Sequence, residues 1–180
     1  YGQGNKKQAY EALGHILHLL QDLSVPAHTR QDTHYDNFGD SGEPYESWAK
    51  RNSDLSFLNN FSSIDFNCSS LENCFIKIAK YSNENFFSED TILDKNYKEP
   101  FYFKKIDVKE VRYYHKNFKD IKNNLLLLAI TNINTSKTSL DDPIIHSSYF
   151  QLLSRQAVFA GAQLINVFQQ EAEKAKKDKS

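Results

Sequence analysis

The stretch LGHILHLLQDLSVPAHT, residues 13–29, carries three of the chain's six histidines, and His34 follows it closely. Leu13, Ile16, Leu17, Leu20 and Leu23 recur three or four apart, which predicts a helix over residues 5–24 with one apolar face. Ser24 and Pro26 end it, because the residue before a proline is pushed out of the helical region. At about 100° per residue the helix carries a second stripe, Glu11, His15, His18 and Asp22, on the side away from the leucines. A solvated stripe usually carries Lys, Glu, Gln or Arg. His18 and Asp22 are one turn apart, with Cβ atoms expected about 5–6 Å from each other, so both can reach one cation. An imidazole nitrogen beside a carboxylate oxygen suits zinc. For an isolated His-x-x-x-Asp an ordinary polar helix is the default. Here the chain turns at Pro26, brings up His28, and opens another helix with Glu46 in EPYESWAKR, where Pro44 suits the first turn.

Composition narrows the alternatives. A chain of 180 residues suits one well-cored domain spanning 1–180. A formal net charge of -1 argues against a general nucleic-acid binder, so no stable nucleic-acid complex is expected. No apolar run reaches the roughly 18 residues a membrane span needs; the longest, LLLLAI at 125–130, is of core length. Methionine is absent even at the first position, so the expectation is the C-terminal part of a longer chain. Cys68 and Cys74 could close a small loop, which would suit an exported protein, or stay as two free thiols; their spacing does not suit a zinc pair.

Elsewhere the pattern predicts irregular chain over 52–68, a short helix near 70–81, a hairpin within 94–115, a helix over DIKNNLLLLAITNI, and a long final helix from Ile144. On that last helix Leu153, Ala157, Ala160, Leu164 and Phe168 form one stripe, and its lysine-rich end suits the helix dipole. The class is mostly α, a multi-helix domain with an irregular middle and one possible β-hairpin. The Glu-x-x-His pairs of di-iron bundles, the His-Glu-x-x-His zincin pattern, the Gly-x-Ser-x-Gly elbow and a phosphate-cradling glycine loop are all missing.

ALGHILHLLQDLSVPAH followed by PYESW resembles the zinc-dependent phospholipase C family, whose fold is shared with zinc-dependent single-strand nucleases. The pattern is Leu-Gly-x-x-x-His-x-x-x-Asp-x-x-x-Pro-x-His, then a loop with a further histidine, then a glutamate, and the match covers roughly residues 9–50. The resemblance implies that His18 and Asp22 are zinc ligands, with Asp22 as the candidate bridge between two metals. It implies that His28 and Glu46 are ligands to another zinc. The family places a histidine four residues before the glutamate, where this chain has Gly42. His34, or less favourably Asp32, would have to supply that ligand. The family's earlier ligands precede the motif by many residues, and only seventeen residues precede His18 here. His15 stands where the family has an apolar residue and takes no ligand role.

A full site would hold two or three zinc ions. It would hydrolyse a phosphodiester, either a phospholipid head-group ester at a membrane surface or, less favoured, single-stranded nucleic acid, and the protein would be secreted or in the cell envelope. Tyr35, Tyr45 and Trp48 are substrate contacts by position only, and packing is the better reading of each. His115 reads as a surface residue and His146 as a helix-start residue with a lesser claim on the site. A second class stands beside the enzyme: a binding or structural module of the same fold whose metal site is incomplete.

Overall fold

The computed structural model describes residues 4–32, 44–52, 66–92, 94–97, 104–108, 111–116, 125–132 and 137–178. Helices dominate. They are α1 (Lys6–Asp22), α2 (Pro26–Thr29), α3 (Pro44–Arg51), α4 (Leu71–Asn85) and α5 (Pro143–Lys177), with a 3-10 turn at Glu89–Thr91. Between the 3-10 turn and α5 lie strands β1 (Lys104–Val108), β2 (Val111–Lys116), β3 (Leu125–Asn132) and β4 (Lys137–Ser139). They form one antiparallel sheet in the order β1-β2-β3-β4.

The opening helix begins at Asn5, whose side chain accepts from the Gln8 amide, and stops at Asp22, just before the turn that Pro26 requires. Leu13 and Leu20 are buried, and Ile16, Leu17 and Leu23 pack beside them, as the leucine spacing expects. The helix expected near 70–81 continues to Asn85, capped by Ser70, whose hydroxyl accepts from the Asn73 amide at 3.2 Å. Cys68 and Cys74 are joined as a disulfide and buried in the same core as Ile78 and Leu164. That resolves the choice left open by their spacing and pins the entry of α4.

The hairpin expected within 94–115 is present as β1 and β2, and it is part of a larger sheet. The helix expected over DIKNNLLLLAITNI is a correction. Residues 125–132 are β3, paired with both β2 and β4 and lying against α5. A short, continuous apolar run carries no period, so it fits a strand covered by a helix as well as it fits a buried helix.

The long helix α5 is the spine. Its early residues Ile145, Tyr149, Leu152 and Leu153 share a core with Tyr45 of α3, with Phe86 and Phe87 after α4, and with Leu140. Ala160 and Leu164 share a second core with Leu13 and Leu20 of α1 and Ile78 of α4. Asp142 starts α5, its carboxylate accepting from the Ile144 amide at 2.8 Å and from the Tyr113 hydroxyl of β2 at 3.0 Å. One side chain therefore caps the helix and ties it to the sheet.

The segment between α1 and α3 is stitched to the end of α4. The Ser82 hydroxyl donates to the Leu23 carbonyl at 2.6 Å, and the Asn83 side-chain amide donates to the Thr29 carbonyl at 2.7 Å. Ser82 is fully buried, and its hydroxyl also lies 3.2 Å from that of Thr29. Deleting the Ser82 hydroxyl leaves the Leu23 carbonyl without that partner. Ser82→Ala is expected to lower the unfolding free energy by about 1–3 kcal/mol, measured by urea denaturation; an unchanged midpoint would show that water replaces the bond.

Candidate metal centre

His18 and Asp22, at the end of α1, meet with Nε2 and Oδ2 3.5 Å apart. The pair is largely open to solvent, the His18 side chain being 74 % exposed. As an ion pair alone such an exposed contact contributes little to stability.

A second pair forms across a longer reach. His28 is carried by α2 and Glu46 by the first turn of α3, eighteen residues apart in sequence, and Nε2 of His28 lies 2.9 Å from Oε1 of Glu46. Both side chains are about one-third exposed. This contact needs two elements to be placed, so it reports on tertiary structure where the one-turn pair does not.

The placement of His28 follows from its neighbours. Val25 is extended, Pro26 opens α2, and Arg30 closes it with its amide bonded to the Pro26 and Ala27 carbonyls. The chain then reverses through Gln31, whose φ of 53° lies in the left-handed region, and the Asp32 amide bonds back to the Ala27 carbonyl at 3.1 Å. This is a Schellman closure with glutamine where glycine is usual. Arg30 is fully buried. Its Nε and one terminal nitrogen donate to the Asn83 carbonyl at 3.2 and 2.8 Å, and the other donates to the Thr91 hydroxyl at 3.1 Å. Its guanidinium also stands over the rings of Phe87 and Tyr97, at 5.7 and 5.5 Å. Burial pulls its pKa below the usual arginine value, an effect opposed by Tyr149 and Tyr97. Two residues before it, His28 stands on the turn that Arg30 anchors.

The placement of Glu46 follows from α3. Tyr45 is buried against Tyr149, with ring centroids 5.8 Å apart, and Trp48 packs on Phe150 and His146 at 5.8 and 6.0 Å. Tyr45 and Trp48 are thus packing residues that dock α3 on α5. An open cleft of about 440 Å³ adjoins His28, with Thr29, Gln31, Lys80, Asn83 and Glu84 in its walls. That volume is within the range of small-molecule sites, about 300–1,000 Å³.

Zinc takes ligands at about 2.0–2.2 Å, which sets tetrahedral ligands roughly 3.3 Å apart; the 3.5 Å between His18 and Asp22 is near that spacing, and the 2.9 Å between His28 and Glu46 is a direct hydrogen-bond distance. Among the described residues, no group of three His, Cys, Asp or Glu side chains is gathered in a way that could hold a metal. The structure therefore shows four of the five expected donors, as two separate pairs. His34, Gly42 and Tyr35 lie outside the described residues. The Asp32 carboxylate accepts from the Asp90 amide at 3.1 Å, so it serves the fold at that point. His15 is exposed. His146 is buried beneath Trp48, and His115 lies in β2.

Arg30, Ser82 and Asn83, which position His28, carry no expectation from the pattern. Ser82 had a usable signal, since it continues the buried stripe Cys74 and Ile78 on α4. Arg30 and Asn83 had none. No family model matches the chain, and neither a curated protein nor a solved structure does.

The left-handed Gln31 is a local strain beside His28. Gln31→Gly is expected to raise the unfolding free energy by about 0.5–1 kcal/mol, because relief of the side-chain clash exceeds the added freedom of the unfolded chain. Denaturant unfolding checks this, and a loss of stability would show that the glutamine side chain is itself held in the cleft.

Proposed function

We propose that the chain is a zinc-dependent phosphodiester hydrolase of phospholipase C type. The observation that carries the reading is the approach of His28 to Glu46, a pair from the expected set that meets across two elements. His18 and Asp22 on the preceding helix, in the order that the resemblance implies, support it.

In this reading His28 and Glu46 hold one cation, and His18 and Asp22 contribute to another. Zinc bound there would supply Lewis-acid polarisation of the phosphoryl oxygens and lower the pKa of water toward neutrality. The chain's own part is placement. Arg30 and Asn83 fix the turn that presents His28, and the docked α3 presents Glu46. The cleft beside His28 would admit the ester, with the Lys80 ammonium and the Glu84 carboxylate both in its wall. Water attacks phosphorus, the phosphorus–oxygen bond to the alcohol breaks, and the alcohol leaves with a proton. A phospholipid head-group ester at a membrane surface is placed before a nucleic acid as the substrate, following the family that the motif resembles. The Cys68–Cys74 disulfide supports a secreted or cell-envelope location. Among the described residues, no helix is long and apolar enough to cross a membrane.

A second reading, a binding or structural module with an incomplete site, is favoured by the lack of a three-donor group among the described residues. Metal analysis after dialysis, combined with hydrolysis of phosphatidylcholine vesicles and of bis(p-nitrophenyl) phosphate, separates the two. The hydrolase holds two or three zinc ions, loses turnover to a chelator and regains it with zinc. Its His18→Ala/His28→Ala variant falls by about 100-fold or more. No more than one zinc, with no turnover, would establish the module; undiminished turnover in the double variant would contradict the site.

A further inference from the structure

We propose that His146 is an acid-sensitive latch for α3, holding the helix docked while its imidazole is neutral and releasing it on protonation. The consequence for Glu46 rests on the reading of the site given above; the latch itself does not.

Helix α3 has eight residues, and an isolated helix that short does not persist in water. It exists because Tyr45 and Trp48 pack on α5. His146 is part of that seat. It stands one turn into α5, its amide bonded to the Asp142 carbonyl at 3.0 Å, and its residue is 3 % exposed. Its ring lies 6.0 Å from the Trp48 ring at a tilt of 52°. Among the described residues, neither Nδ1 nor Nε2 has a hydrogen-bond partner of good geometry. A buried neutral imidazole already forgoes hydration at two nitrogens. A buried imidazolium would bring two donors and a full charge into the same apolar seat, which is far costlier.

The surrounding charges modify this balance without reversing it. Among the described residues, Asp141 and Asp142 at the start of α5 and the Leu140 backbone favour the charged ring, while Arg51 of α3 opposes it. Asp142 is engaged by the Ile144 amide and the Tyr113 hydroxyl from the sheet, and the Glu89 carboxylate is held by the Leu140 amide at 2.7 Å and by the Ser139 hydroxyl. Burial is the largest influence and sets the His146 pKa below its ordinary value. The sign follows. Above about pH 6.5 both docked and released states are neutral and docking is complete. As pH falls below that value, the released state takes up the proton first, so docking weakens through the window between the ordinary and the lowered pKa. Undocking carries Glu46 away from His28, so acid would disable the site from behind.

Trp48 is the chain's only tryptophan, which makes the latch directly visible. The experiment follows Trp48 emission and its quenching by acrylamide in the full chain, free of zinc and substrate, from about pH 8 to pH 5. The latch predicts an emission change and greater acrylamide quenching with one midpoint below about 6.5, both absent in His146→Phe. Proton NMR of the histidine rings in the unaltered chain must show one ring, in contact with Trp48, titrating at that same midpoint; this covers the case in which the variant fails to fold. A midpoint at or above the ordinary value, an emission change that persists in His146→Phe, or titration without increased quencher access would each overturn the latch. None of these readouts requires turnover, so a failure of the hydrolase reading is recognised separately.

Discussion

The turn that carries His28 depends on a buried guanidinium. Arg30 takes the Asn83 carbonyl and the Thr91 hydroxyl while its face lies against Phe87 and Tyr97. Such a charge is tolerated only where its donors are satisfied. Meeting that requirement fixes the end of α4, the 3-10 turn and α2 relative to one another. The Ser82 and Asn83 side chains complete the clasp by taking the carbonyls of Leu23 and Thr29. His28, two residues before Arg30, inherits the rigidity of this cluster.

Glu46 is held differently. Its helix is short and packs by Tyr45 and Trp48 against α5. The position of Glu46 therefore follows from the α3–α5 seat. His146 occupies that seat, and Asp142, one turn earlier, ties the start of α5 to the sheet. The fold thus places a titratable group behind α3.

Much of the helical frame was legible in the residues. The leucine spacing of α1, the proline stops, the Pro44 start of α3 and the stripe of α5 each obey a local rule that the packing then uses. The one-turn His18–Asp22 pair was legible for the same reason, since helix geometry alone brings it together. The order of His28 and Glu46 was legible as pattern, but their contact was not derivable from periodicity, because it depends on how two elements pack. The misread strand β3 shows the converse limit: LLLLAI has hydrophobicity without period, and its partners β2 and β4 decide its form. Arg30 was invisible because a charged residue in a turn is ordinarily solvated, and only the fold reveals that this one is enclosed.

The proposed hydrolase site requires that His28 and Glu46 share a cation. Anomalous diffraction at the zinc absorption edge, from a crystal grown with the metal, tests this. The expected result is a peak about 2.0–2.2 Å from both His28 Nε2 and Glu46 Oε1. An imidazole and carboxylate that stay in direct hydrogen bond at the 2.9 Å separation, with no peak beside them under saturating zinc, would contradict it.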